Sequence, residues 1–333
     1  MLPIQRRKPT RSTATIHRHR GYNNNPPKKY FIYRPHQGKE RAYVNALQKA
    51  GYRPALNDRG RGKIKMVLFD MDGGRRTDLL ERYHKRGIAI FLYPHAARPQ
   101  IIWDGIWEVW PHTRCNFVPG PGHAEVMRRY GYSLPIEVTG WTYCEMLPFK
   151  PVAKPKNILF GPIHPSASGW ICKEDKEANQ RTFKILLEYC HATGAKLTVR
   201  HIQALDRNGL GRVAGVNYVI GKPDLAIKEI DQADLVIGHQ TFAYLAVARG
   251  KPTLMMREDL PPHTVSHGQT VYAKSWEKYA DLMMYPLDIL AGDPSGAIQR
   301  ACQGDPQAAA WQERFISVPF NPKKFVEKLE SYL

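Results

Sequence analysis

The sequence predicts an α/β protein of two doubly wound units preceded by a cationic arm, and three observations carry that expectation. From Tyr30 onward short apolar runs alternate with stretches of helical period, the pattern of strands joined by crossover helices in a parallel sheet. The stretch Leu147 to Lys156, LPFKPVAKPK, has three prolines, three lysines and no period, and a second αβ series resumes after it. Charge is segregated: of the formal net +19 over 333 residues, Met1 to Lys65 carries +15, with 17 basic residues against only Glu40 and Asp58. The remainder is near neutral.

Composition narrows the classes. At 43% apolar residues the chain is not wholly disordered and has the length for two domains of roughly 150 residues each. No run approaches the ~18 apolar residues of a membrane helix and no apolar segment follows the first charges, so a soluble, cytoplasmic protein is expected. Cys115, Cys144, Cys172, Cys190 and Cys302 are odd in number and widely spaced, which points to core thiols and indicates neither a disulfide framework nor a zinc site. No metal ligand set and no permanently bound cofactor is expected.

The elements follow in order. Residues 1–29 hold eight basic residues, no acid, three consecutive Asn and Pro26-Pro27, and cannot bury enough apolar surface to offset the entropy of ordering them. They read as a flexible arm; a mitochondrial transit peptide fits the composition less well, because the prolines break any amphipathic stripe. The first unit, 30–146, has strands at Tyr30 to Tyr33, Lys65 to Phe69, Ile88 to Tyr93, Asn116 to Val118 and Ile136 to Val138. Its helices run from Lys39 to Ala50, Thr77 to Lys85 and His123 to Tyr130, with Gly51, Gly87 and Gly131 as stops. Residues 147–156 form the linker. The second unit, 157–320, has strands at Asn157 to Phe160, Lys196 to Arg200, Tyr218 to Ile220, Leu235 to Ile237 and Thr253 to Met256. Its helices run from about Glu174 to His191, Leu225 to Ile230 and Phe242 to Ala248. A last amphipathic helix lies within 321–333.

In open parallel sheets ligands collect beyond the carboxyl ends of the strands, so the loops there hold the candidates. In the second unit, Gly238-His239-Gln240-Thr241 is a tight turn into a small-residue helix, where Gly238 allows close backbone approach and the first amides form a phosphate cradle. An ordinary βαβ turn would read the same way. Arg200 and His201 end another strand and suit a diphosphate by charge-assisted hydrogen bonds. Gly221-Lys222-Pro223 ends a third, and Gly161 to Ser166 a fourth. In the first unit the corresponding loops are Arg34-Pro35-His36-Gln37-Gly38-Lys39, Asp70-Met71-Asp72-Gly73-Gly74-Arg75-Arg76 and Pro94-His95-Ala96-Ala97-Arg98. A general base for transfer to a hydroxyl is His or Asp, which makes His95 and Asp72 the candidates and His36 a third; each also suits a plain turn or cap.

The segment Ile230 to Met256, IDQADLVIGHQTFAYLAVARGKPTLMM, resembles the donor-site segment of GT-B glycosyltransferases and their relatives, the non-hydrolysing UDP-N-acetylglucosamine 2-epimerases and CDP-glycerol glycerophosphotransferases. Asn116 to Trp141 resembles the end of their first domain, and Lys154 to Pro165 the first strand of their second. The resemblance implies a GT-B-like fold, two Rossmann-like domains facing a cleft, and a nucleotide-sugar donor, a UDP-sugar first among them. It places Gly161, His164, Ser166, Arg200, His201, Gly221, Lys222, Gly238, His239, Gln240, Thr241 and Tyr244 at the donor. Two positions depart from the pattern. Leu245, beside Tyr244, stands where the family carries the acid that holds the ribose, and Pro162-Ile163-His164-Pro165 lacks the family's phosphate-loop Arg. Asp70-x-Asp72 also suggests a haloacid-dehalogenase motif, but DMDGG departs from it and the GKP-bearing half does not fit.

Arg59, Arg61, Lys63 and Lys65 carry the positive charge into the first unit, the acceptor side of such an architecture. With Arg34, Lys39, Arg75, Arg76 and Arg98 they suit a phosphate backbone, and nearby Tyr22, Trp103, Trp107 and Trp110 suit stacking on bases. The expected acceptor is a polyanion, foremost DNA with a hydroxymethylated base, as for the phage DNA-modifying glucosyltransferases that share the fold; such a base must be flipped out to be reached. Two alternatives stand beside it: a transferase or 2-epimerase acting on a lipid-linked or small acceptor, and a non-catalytic nucleic-acid-binding protein on the same scaffold.

Overall fold

The computed structural model describes residues 30–34, 41–55, 64–70, 77–93, 112–129, 132–163, 173–202, 205–221, 226–256, 263–266, 269–272 and 285–333. Two parallel sheets dominate. The first has strands β1 (Tyr30–Arg34), β2 (Arg53–Pro54), β3 (Ile64–Asp70), β4 (Ala89–Tyr93), β5 (Thr113–Val118) and β6 (Ile136–Val138), in the spatial order β2-β1-β3-β4-β5-β6. Helices α1 (Arg41–Lys49), α2 (Thr77–Lys85) and α3 (Pro121–Arg129) connect them. The second has β7 (Asn157–Phe160), β8 (Lys196–His201), β9 (Asn217–Ile220), β10 (Leu235–Gly238) and β11 (Thr253–Met255), in the order β11-β10-β7-β8-β9, with α4 (Lys173–Thr193), α5 (Ala226–Gln232) and α6 (Gln240–Ala248). The α/β class and the parallel sheets are as the sequence led us to expect.

Period-two burial explains why both faces of each sheet are covered. Along β3, Val67 and Phe69 enter the main core while Met66 and Leu68 enter a second one across the sheet. In the second sheet Ile158, Phe160, Leu235 and Ile237 face the main core, and Leu159 and Val236 face the layer made by α5 and α6.

Several elements differ from the sequence reading. The edge strand β2 and an antiparallel hairpin, β12 (His263–Ser266) with β13 (Gln269–Tyr272), were not expected. Nor were α7 (Pro294–Gln303) and α8 (Pro306–Phe315). Their signal is at the caps: Asp293 accepts from the amides of Ser295 and Gly296 at 3.0 and 2.8 Å, Asp305 from those of Gln307 and Ala308 at 2.8 and 3.2 Å, and each is followed by proline. Asn321-Pro322 opens the last helix, α9 (Pro322–Ser331), in the same manner.

That last helix belongs to the first sheet. Phe325 and Leu329, one turn apart, are fully buried among Phe31, Tyr43 and Phe117. Tyr52 donates to Glu330 at 2.7 Å, and Lys328 and Tyr332 reach Glu137 at 3.0 and 2.9 Å. The chain therefore passes between the sheets twice, and the passages run together: Trp141 N–H donates to the Val318 carbonyl at 2.8 Å, and Asn321 N–H to that of Thr139 at 3.2 Å.

The Pro- and Lys-rich linker is fastened down. Leu147 N–H donates to Ala248 O at 2.8 Å, Lys150 N–H to Gly250 O at 3.0 Å and Val152 N–H to Cys302 O at 2.8 Å. Gly250, at φ +68°, lies directly over the Pro148 carbonyl, so both its left-handed backbone and its missing β-carbon are required. Lys251 caps the end of α5 by donating to the carbonyls of Asp231 and Ala233 at 2.7 and 2.9 Å, and the burial this demands lowers its pKa. The Gly250-Lys251-Pro252 turn thus acts as the clasp of the linker. No helix among the described residues is long and apolar enough to cross a membrane.

Candidate functional site

In the second sheet the strand order changes direction between β7 and β10, because the connection after β7 leads to β8 on one side and the later strands lie on the other. Such switch points open a crevice at the carboxyl edge. Gly161 follows β7, Gly238 ends β10, and the two are tied by a Gly161 N–H to Ile237 O bond of 2.8 Å. The edge continues through Arg200 and His201 on β8 to Gly221 after β9, whose N–H donates to His201 O at 2.8 Å. Gly161, Arg200, His201, Gly221, Gly238 and His239, which the sequence singled out separately, are therefore brought to one edge.

What occupies the crevice is a side chain. A β-carbon at Gly161 would lie 2.6 Å from ring atoms of Phe242, and one at Gly238 would meet the same ring. Gly238 does permit close approach, but of Phe242, on the first turn of α6. The Arg200 guanidinium lies over that ring at 5.7 Å from its centroid and its Nε donates to Glu229 of α5. Both partners are withdrawn from water, with side chains 5% and 15% exposed, so Arg200 is a member of a buried ion pair.

His239 is the N-cap of α6 in extended conformation, and its side chain makes no cap bond. Gln240 and Thr241 open α6, where the leading amides have no intrahelical acceptor. Tyr244 is corrected. It is 4% exposed and packs on Trp311 with ring centroids 5.0 Å apart, which makes it a core residue between α6 and α8. Leu245 packs, partly buried, against the main core.

One organising residue escaped the sequence reading. Asn179 of α4, fully buried, accepts from Ile163 N–H at 2.8 Å and donates to Ile163 O at 2.8 Å and Asn208 O at 3.0 Å. It pins the chain leaving β7 to the 3-10 turn Leu205–Asn208 that follows β8. A lone polar residue in an amphipathic helix gives little sign of such a role. Glu229 gives as little sign, and Phe242 reads only as an apolar position of α6.

His164, Ser166 and Lys222 lie outside the described residues, as do His36, Asp72, His95, Lys39, Arg59, Arg61, Lys63, Arg75, Arg76 and Arg98. Arg34 is described as the last residue of β1. The strands that lead to the three catalytic candidates are adjacent: β1, β3 and β4 end at Arg34, Asp70 and Tyr93, each two residues before His36, Asp72 and His95. Arg34 pairs in register with Phe69, and Asp70 with Tyr93. The strand order of this sheet also reverses, between β1 and β3. A cavity of about 210 Å³ lies elsewhere, between Ala153 and Pro155 of the linker, Tyr189 of α4 and one face of α7. The linker enters β7 at its amino end, so this cavity is remote from the carboxyl edge. Among the described residues no group of three or more His, Cys, Asp and Glu is placed to hold a metal.

No family model matches the chain, and no curated protein does. Among solved structures it is similar to the glycosyltransferase SnogD from Streptomyces nogalater, with TM-score 0.49 and 13% identity over 93% of this chain and 100% of that one. It is also similar to the wall teichoic acid polymerase TagF, with TM-score 0.47 and 12% identity over 92% and 89%. TarM of S. aureus, solved with UDP, gives 0.44 and 11%, and there the chain spans 80% of its own length and about half, 55%, of that protein. Likenesses at these scores assign no activity to the chain.

Proposed function

We propose that this chain is a nucleotide-sugar-dependent glycosyltransferase of the GT-B type, with the donor at the carboxyl edge of the second sheet and the acceptor at that of the first. The observation that carries the reading is the convergence of Gly161, Arg200, Gly221 and the Gly238-His239 turn on one strand edge at a switch point, beside the opening turn of α6. His36, Asp72 and His95 follow the neighbouring strands β1, β3 and β4 in the sequence, and His and Asp are residue types that can take a proton from an acceptor hydroxyl. The donor is a UDP-sugar or a related nucleotide sugar.

The charge supports a polyanionic acceptor: +15 of the +19 belongs to Met1 to Lys65, on the acceptor side of this arrangement. Hydroxymethylated DNA, as in phage-type DNA modification in a host cytoplasm, is the acceptor we favour. Two measurements test the reading. UDP, CDP or GDP should raise the unfolding temperature of the protein, and failure of all three removes the donor site. Mass analysis of hydroxymethylated DNA incubated with protein and a panel of nucleotide sugars should show a hexose-sized gain; sugar transfer to a small acceptor only would replace the DNA reading.

A second reading is favoured by Leu245 and by the Phe242 ring in the crevice: a nucleic-acid-binding protein on a scaffold that no longer takes a donor. It predicts a salt-dependent DNA gel shift with no nucleotide protection.

A further inference from the structure

The geometry points to a second binding site, for a neutral sugar ring, in the cavity between the linker, α4 and α7. It stands apart from the nucleotide reading, because the linker enters β7 at the end of the sheet opposite the carboxyl edge. The cavity holds about 210 Å³. At a share of about 30 Å³ for each water that is room for roughly seven waters, the size of one six-membered ring with its hydroxyls. The wall on α7 is a single helix face: Ser295, Gln299 and Gln303 recur every four residues, with Ile298 and Cys302 beside them. Ile298 and Cys302 are 2% and 3% exposed and, with buried Pro155, supply an apolar floor. Burial pushes the Cys302 thiol up to about 11, so the floor stays uncharged. Ser295, Gln299 and Gln303 are exposed and Tyr189 of α4 is half-buried, which puts the polar groups at the rim.

The lining selects the ligand. Among the described residues no charged side chain lines the cavity, and the side chains of Tyr189, Ser295, Gln299 and Gln303 make no hydrogen bond within the protein. Arg300, next along α7, reaches Asp305 at 3.8 Å instead. Two carboxamides and two hydroxyls can each donate and accept, which matches ligand groups that do both. Sugar hydroxyls do; a carboxylate or phosphate only accepts, and meets no cation on this wall. A wholly apolar ligand would desolvate the rim groups without pairing them, whereas the C–H face of a sugar ring covers the floor and leaves its hydroxyls at the rim.

The test is saturation-transfer NMR of the full chain with glucose, galactose and N-acetylglucosamine, beside glucose 6-phosphate and glucuronate. At least one neutral sugar should bind with a Kd of about 1–20 mM, and the two anionic sugars at least about fivefold more weakly. Gln299→Leu and Gln303→Leu, at exposed positions of α7, should each weaken that binding by about threefold to tenfold, and the near-isosteric Tyr189→Phe should do the same. An excess of UDP should leave the sugar signal in place. The inference is overturned if no neutral sugar binds at up to about 50 mM, if an anionic sugar binds as tightly, if the three variants bind as the wild type does, or if UDP displaces the sugar. Nucleotide binding without sugar binding removes this site alone, and sugar binding without nucleotide binding removes only the glycosyltransferase reading.

Discussion

The ring of Phe242 stands where a β-carbon at Gly161 would have to be, 2.6 Å from its edge atoms. Two strands, β7 and β10, therefore close against one aromatic side chain from the helix that follows β10, and the glycines at their ends are packing surfaces. Gly161→Ala should destabilise the protein by about 1–3 kcal/mol through overpacking. In a Phe242→Ala background the same substitution should cost far less, a coupling that a double-mutant cycle of unfolding free energies would reveal. Equal costs in both backgrounds would refute the packing role.

Asn179 offers a second test, because its amide uses donor and acceptor ends at once. Asn179→Leu leaves Ile163 N–H and the Ile163 and Asn208 carbonyls without their buried partner and should cost about 2–4 kcal/mol. Asn179→Asp keeps the acceptor and loses the donor, so it should also destabilise. Urea denaturation would check both, and hydrogen exchange should show the amide of Ile163 losing protection.

The last helix should be indispensable to the first sheet. Phe325 packs against Tyr43 and Phe117 with ring centroids 4.8 and 4.9 Å apart, so Phe325→Ala opens a cavity between aromatic rings worth about 3–5 kcal/mol. Removing residues 322–333 should leave that face of the sheet bare, with dye binding and aggregation as the readout. A shortened chain with an unchanged melting curve would contradict the assignment.

Alkaline pH should loosen the same contact. Burial, helped by the hydrogen bond to Glu137, pushes the Tyr332 phenol up to about 12 from its ordinary value near 10. The folded state thus keeps a proton that the unfolded chain has lost, so stability falls as pH rises from about 10 to 12. Tyr332→Phe should flatten that part of the profile in thermal melts followed across the range. An unchanged slope in the variant would assign the alkaline loss to other groups, such as Tyr52.

The strands and crossover helices were legible because burial on both faces of a parallel sheet writes short apolar runs such as MVLF at 66–69 and LVIG at 235–238, bounded by glycine and polar turns. α7 and α8 were not; what marks them in the sequence is the Asp-Pro cap that opens each. The strand-end loops were legible as a class, but the partner of each residue was not. The ion pair of Arg200 was not legible, because Glu229, 29 positions later, leaves no trace at that distance in the chain.

By itself, the sequence determined the α/β class and the gathering of charge at one end, both consequences of local pattern and composition. The tertiary structure alone decided the strand order, and with it the switch point between β7 and β10. It also decided that Phe242 fills that crevice, that Gly250 and Lys251 clasp the linker, and that α9 returns to the first sheet. The reason is physical: local pattern tells which faces must be buried, whereas contacts between residues far apart in the chain decide what each face is buried against.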